Sequence, residues 1–217
     1  MMGENSFKPL SGVLLVSDID GTIVREDSIF EFFNRFGVAE EAKRLNAAEL
    51  SSDVPLLLNR IASQQPIPLA AFEEITDRAT FFPGADRFFS KFESFGARVC
   101  LLSAMYEPIA NRIAGRLGLS NPIVCASRVK IERGDVVGFE GPVMEGFEKE
   151  KALKKILDDS SAPYSKIIGL ADSQGDLFFM NRIANGGGLC LWVDNPDYSQ
   201  IEKTMLEWLK LEVRDDA

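Results

Sequence analysis

The chain has no histidine in 217 residues. That absence excludes Ser-His-Asp hydrolases, Cys-His enzymes and every metal site built on imidazole. Acid–base chemistry therefore falls to carboxylates, lysine, tyrosine or cysteine. Cysteine is scarce too. Cys100, Cys125 and Cys190 are odd in number, and each stands inside an apolar run. They read as small core residues of a reducing compartment, not as a disulfide or zinc framework. No apolar run is long enough to span a bilayer, and residues 1–12 lack the charged-then-apolar order of a signal peptide. A cytoplasmic location is the expectation. Positive charge is in deficit, with 24 Lys and Arg against 33 Asp and Glu, a formal net charge of -9. So acidic a surface repels nucleic acid and anionic membranes, so neither is an expected partner. Any phosphate site must gather its positive charge locally.

What is present is ordinary for a soluble globular chain: 46% hydrophobic and 26% charged residues. The length suits one sizeable core, or one domain with a small insert. Five short apolar runs, at 13–17, 98–102, 123–126, 166–170 and 189–193, read as strands covered on both faces. Helical patterns at 85–94, 108–117, 149–157 and 176–184 separate most of them, with Gly118 and Asn185-Gly186 as stop signals. Strand–helix alternation predicts an α/β fold with a doubly wound, Rossmann-like parallel sheet.

Two stretches depart from the alternation. Residues 25–80 hold no convincing strand, only amphipathic patterns at 29–36, 39–50, 54–62 and 69–78, so a small helical insert follows the first strand. Residues 128–132 and 136–139, joined by Arg133-Gly134-Asp135, predict a hairpin. The stretch 198–211, with Trp208, has helical spacing; packing on the sheet is its simplest role, and a monomer or a homodimer remains open.

The chemistry gathers at strand ends. Asp18-Ile19-Asp20-Gly21-Thr22 directly follows the first apolar run. In an open parallel sheet, ligands bind beyond the carboxyl ends of the strands. On an extended backbone, Asp18 and Asp20 would point the same way, and Gly21 permits a sharp turn. The plain alternative is a turn with solvated acids. Ala171-Asp172-Ser173-Gln174-Gly175-Asp176 follows the fourth run in the same manner. Asp176 at a helix start also suits a cap. Clustered carboxylates repel one another and raise each other's pKa. A divalent cation with oxygen ligands, of which Mg²⁺ is the natural choice, removes that problem. Ser103, at the end of the second run, offers a hydroxyl to a phosphate oxygen, or serves as a turn residue. Lys149 is either a solvated surface residue or the local cation such a site needs.

In this order the motifs resemble those of the haloacid dehalogenase superfamily, in its phosphoserine-phosphatase-like branch. Asp18-x-Asp20-Gly-Thr resembles the first motif, Leu101-Leu102-Ser103 the second, Gly146-x-x-Lys149-x-x-x-Leu153 the third, and Asp172-Ser173-x-x-Asp176 the fourth. Phe82-Pro83-Gly84-Ala85 is also typical of such chains, whereas Ala171 stands where the family usually has Gly. The resemblance implies a catalytic core of residues 1–24 and 81–217, with residues 25–80 as its helical cap. It implies Asp18 as nucleophile and Asp20 as general acid and base. Mg²⁺ would be held by Asp18, the Asp20 carbonyl and Asp172, and oriented by Asp176 from just outside. Ser103, Lys149, Gly21 and Thr22 would bind the phosphoryl group of a small phosphorylated metabolite. In the cap, Asp27 and Arg60 correspond to the residues that receive the ammonium and carboxylate of phosphoserine. Many members of that branch carry Ser where Gly21 stands, and Asp27 is shorter than their Glu, so phosphoserine is one candidate substrate among several. A phosphotransferase or mutase would use the same core, and a catalytically silent binding module is the remaining class.

Overall fold

The structure is a computed structural model that describes residues 10–25, 28–47, 53–54, 56–161 and 163–215. Its elements run β1 (Val13–Ser17), α1 (Ser28–Arg35), α2 (Ala39–Ala47), α3 (Leu57–Gln64), β2 (Ile67–Pro68), α4 (Ala70–Arg78), α5 (Ala85–Ser94), β3 (Arg98–Tyr106), α6 (Glu107–Arg116), β4 (Ile123–Glu132), β5 (Asp135–Glu140), α7 (Phe147–Asp159), β6 (Lys166–Ala171), α8 (Leu177–Asn185), β7 (Leu189–Trp192) and α9 (Tyr198–Asp215). The seven strands form one sheet in the order β2-β5-β4-β3-β1-β6-β7. β1 lies at its centre, parallel to β3 on one side and to β6 on the other. β4 and β7 continue the parallel part outward; β5 and then β2 add antiparallel at one edge. This is the α/β, mostly parallel arrangement that the strand–helix alternation predicts.

Period-two alternation sorts β1 between two cores. Val13 and Leu15 face the larger cluster, with Phe88, Phe89 and Phe92 of α5. Leu14 and Val16 face the smaller one, with Leu153 of α7 and Phe179, Met180 and Ile183 of α8. Both faces of the sheet are thus covered, which is why its strands read as unbroken apolar runs. Truncating a fully buried ring such as Phe89 to Ala would cost about 3–5 kcal/mol.

Several sequence boundaries are corrected. The runs 123–126 and 128–132 are one ten-residue strand, β4, which is parallel to β3 through Ser127 and antiparallel to β5 from Arg128 onward. β3 continues past Leu102 to Tyr106, with a register shift between Ser103 and Tyr106. Ile67–Pro68 is a strand inside the stretch read as purely helical. It pairs only with β5, at the sheet edge, where a proline is tolerated.

Helices α1 to α4 pack on the carboxyl-end side of β3. Phe32 stacks on Phe72 at 4.7 Å between ring centroids, and both meet Tyr106 edge-on at 5.5 and 5.8 Å. The stretch is also tied to the hairpin: the Phe139 N–H donates to Asn59 Oδ1 at 2.6 Å. Phe33 is buried among these rings, Phe36 packs against them, and Phe30 lines the cavity described below.

Candidate active site

The register of the central strands sets the site. Ser17 pairs with Leu101 of β3 and Leu170 of β6, and the Asp18 N–H donates to the Leu170 carbonyl at 3.0 Å. Asp18, Ser103 and Asp172 are therefore carried to the same edge of the sheet by three neighbouring parallel strands. After Asp18 the chain turns sharply: the Ile23 and Val24 N–H groups both donate to the Ile19 carbonyl, and the Gly21 N–H to the Val24 carbonyl. Gly21 makes the turn with φ +72, and a Cβ there would fall on Asp172 Oδ2. Both demands select glycine.

A cavity of about 410 Å³ opens at this edge. Asp18, Asp20, Gly21, Ser103, Lys149 and Asp172 line it together, so six of the residues singled out from the sequence converge. Lys149 lies in the first turn of α7 and is only 3% exposed, which settles against a solvated surface role. Its Nζ donates to Asp18 Oδ1 at 2.8 Å and to Asp176 Oδ1 at 2.5 Å. Asp176 is fully buried; besides Lys149 it accepts from Ser173 Oγ at 3.2 Å, and its side chain makes no capping bond to α8. Helix capping is thus not its role.

Among the described residues, Asp18, Asp172 and Asp176 bring carboxylate oxygens within 4.8 Å of one another. Three carboxylates face one ammonium. Burial pushes the Asp18 carboxyl up to about 7 against the pull of Lys149, with Asp176 and Asp172 raising it further. Asp172 is raised as well, by burial and by Asp176. Burial would lower the Lys149 pKa, but Asp18 and Asp176 outweigh it and hold the ammonium charged. An all-oxygen set with surplus negative charge fits a hard divalent cation such as Mg²⁺.

Two sequence expectations differ from the structure. Thr22, expected at the phosphoryl group, is buried and does not line the cavity. Its hydroxyl donates to Asp172 Oδ1 at 3.3 Å, so it orients an acid instead. Arg60, expected at a substrate carboxylate, is also absent from the lining; it pairs with Glu41 at 2.5 Å on an exposed face. Asp27 lies outside the described residues.

The structure adds residues that the motifs left out. Arg25 and Glu145 line the cavity beside Ser173 of the fourth motif, with Ile29, Phe30, Val54 and Met105 as its apolar part. Ser127 on β4, fully buried, donates to the Ala104 carbonyl at 2.7 Å and accepts from the Met144 N–H at 3.0 Å. It thereby joins β3, one residue past Ser103, to the loop that leads into α7 and Lys149. Tyr198, the first residue of α9, packs on Phe88 and Phe89 and donates its buried hydroxyl to the Thr22 carbonyl at 2.9 Å. No helix among the described residues is long and apolar enough to cross a membrane.

Known proteins share this fold. The family profile of haloacid dehalogenase-like hydrolases matches residues 15–181. The chain is 25% identical to a phosphoserine phosphatase of Lactococcus lactis over 181 residues, covering 82% of this chain and 83% of that protein. It is 24% identical to a phosphoserine phosphatase of Methanocaldococcus jannaschii over 173 residues, or 78% and 81% of the two chains. Among solved structures, a substrate-bound phosphoserine phosphatase complex superposes with a TM-score of 0.67 at 21% identity, and a phospho-aspartyl intermediate analogue of phosphoserine phosphatase with 0.66 at 23%; each match covers 88% of this chain and 97% of the other. The chain belongs to the haloacid dehalogenase-like hydrolases, and within that family it resembles the phosphoserine phosphatases.

Proposed function

We propose that the protein is a magnesium-dependent phosphatase that hydrolyses a small phosphomonoester through an aspartyl phosphate on Asp18. The observation that carries this reading is the convergence of Asp18, Lys149, Asp172 and Asp176 at the end of the central strands, beside a cavity that Asp20 and Ser103 also line. Asp18 and Asp172, with the Asp20 carbonyl, would hold Mg²⁺, and Asp176 would orient the group through Lys149 and Ser173. When bound, the cation neutralises phosphoryl oxygens and the surplus carboxylate charge.

Asp18 attacks phosphorus, and the bond from phosphorus to the alcohol oxygen breaks. Asp20 gives that oxygen a proton, and in the second step takes one from the water that hydrolyses the aspartyl phosphate. Lys149 and Ser103 bind the transferring group, and Lys149 favours the ionised form of Asp18 against the effect of its burial. Residues 25–80 act as a cap whose face, through Ile29, Phe30 and Val54, excludes water from the cavity. The relatives named phosphoserine phosphatase support this reaction class. The test is phosphate release from p-nitrophenyl phosphate by purified protein with Mg²⁺. Activity that disappears in chelator and in Asp18→Asn supports the reading; activity that survives both sinks it.

A further inference from the structure

We infer that Arg25 reads a second anionic group on the substrate, a carboxylate or a further phosphate, and that this recognition comes from the loop after the nucleophile and needs no amino group. The inference rests on the phosphatase reading above.

Arg25 lines the reaction cavity together with Asp18, Asp20 and Lys149. It also lines an adjoining cavity of about 380 Å³ with Gly21, Asp172 and Asn195. It therefore stands where the two spaces meet. Its place is fixed by backbone. Asp20 bridges to Val24, Val24 bridges to Phe81, and the Arg25 N–H donates to the Thr80 carbonyl at 2.9 Å. Its guanidinium lies 5.5 Å from the centroid of the Phe82 ring, on an exposed side chain. An arginine fixed by its backbone, with its guanidinium beside a ring on an exposed side chain, is suited to a planar oxyanion.

Charge points the same way. Asp18, Asp20, Glu145 and Asp172 all line the cavity, so a second anion is repelled over most of its wall. Lys149, the other cation among the described lining residues, is committed to Asp18 and Asp176. Arg60, which would serve a carboxylate on the cap side, is paired with Glu41 away from the lining. Among the described residues, the cap side that lines the cavity is apolar, through Ile29, Phe30 and Val54, which would strip water from a carboxylate. Beside Arg25 an anion gains an opposite charge and keeps some water.

The experiment compares phenyl phosphate with 4-carboxyphenyl phosphate, which differ by one carboxylate. With Mg²⁺, the wild-type protein should favour the carboxylate ester in kcat/KM by about tenfold or more, the range of one charge-assisted bond. Arg25→Ala should abolish the preference, with a much smaller loss on phenyl phosphate, and Arg25→Lys should keep part of it. No preference in the wild type, or an equal loss on both esters in Arg25→Ala, would overturn the inference while leaving the phosphatase reading intact. If neither ester turns over, the phosphatase reading fails, and calorimetric binding of both esters to Asp18→Asn decides the inference alone. A preference of about tenfold that vanishes in Asp18→Asn/Arg25→Ala supports it; equal affinities overturn it.

Discussion

The ammonium of Lys149 sits 2.8 Å from Asp18 Oδ1 with both side chains shut away from solvent. Asp176 completes the group from the other side. Removing one partner from such a cluster strands the rest. Lys149→Met should therefore destabilise the fold by about 3–5 kcal/mol as well as stop turnover. Lys149→Met/Asp176→Asn should recover part of the stability and none of the activity. Denaturant titration measures both. An unchanged unfolding midpoint in Lys149→Met would mean that the buried pair contributes nothing.

Gly21 and Asp172 test the metal assignment. In Gly21→Ala the new methyl falls on the Asp172 carboxylate, at a backbone conformation that L side chains rarely adopt. The backbone strain alone costs about 1–2 kcal/mol. Because Asp172 must move, the Mg²⁺ concentration for half-maximal activity should rise at least about tenfold. A metal response identical to wild type would remove Asp172 from the metal site.

Metal binding should also be visible without turnover. Mg²⁺ at about one hundred times its dissociation constant should stabilise the protein by roughly 2.7 kcal/mol, read as a rise in Tm. Asp172→Asn should blunt that rise. Ca²⁺ should stabilise the fold yet restore little activity, since its looser oxygen shell suits in-line attack poorly. Full activity in chelator would contradict the assignment.

Ser127 lies outside every motif, but its hydroxyl joins β3, which carries Ser103, to the loop that leads into α7 and Lys149. Ser127→Ala leaves the Ala104 carbonyl and the Met144 N–H without that partner, at a cost of about 1–3 kcal/mol. The inhibition constant for inorganic phosphate should rise along with that loss. A stability loss with unchanged phosphate inhibition would confine Ser127 to a packing role.

The parallel core was legible because its strands are buried on both faces, so apolar runs such as 13–17 and 166–170 stand out against the helices between them. The acids were legible as types placed at strand ends, and Lys149, in a helix start, only through its place in the order of the motifs. Partners distant in sequence were not. The hydroxyl of Tyr198 reaches Thr22 across 176 positions, and nothing local to either residue marks the contact. Arg60 shows the converse. The family resemblance placed it at a substrate carboxylate, but it pairs with Glu41, nineteen residues earlier. Ile67–Pro68 escaped notice because a two-residue strand containing proline has neither the length nor the alternation to declare itself.

The central claim is that phosphate passes through Asp18. The most direct measurement uses Asp20→Asn with p-nitrophenyl phosphate, whose activated leaving group needs little protonation, so that hydrolysis of the intermediate is the slower step. The reaction is quenched in acid and the protein digested for mass spectrometry. The account predicts one added phosphoryl group on the peptide containing Asp18, absent when Asp18→Asn is combined with Asp20→Asn. Turnover without any covalent phosphate, or phosphate carried by another residue, would contradict it.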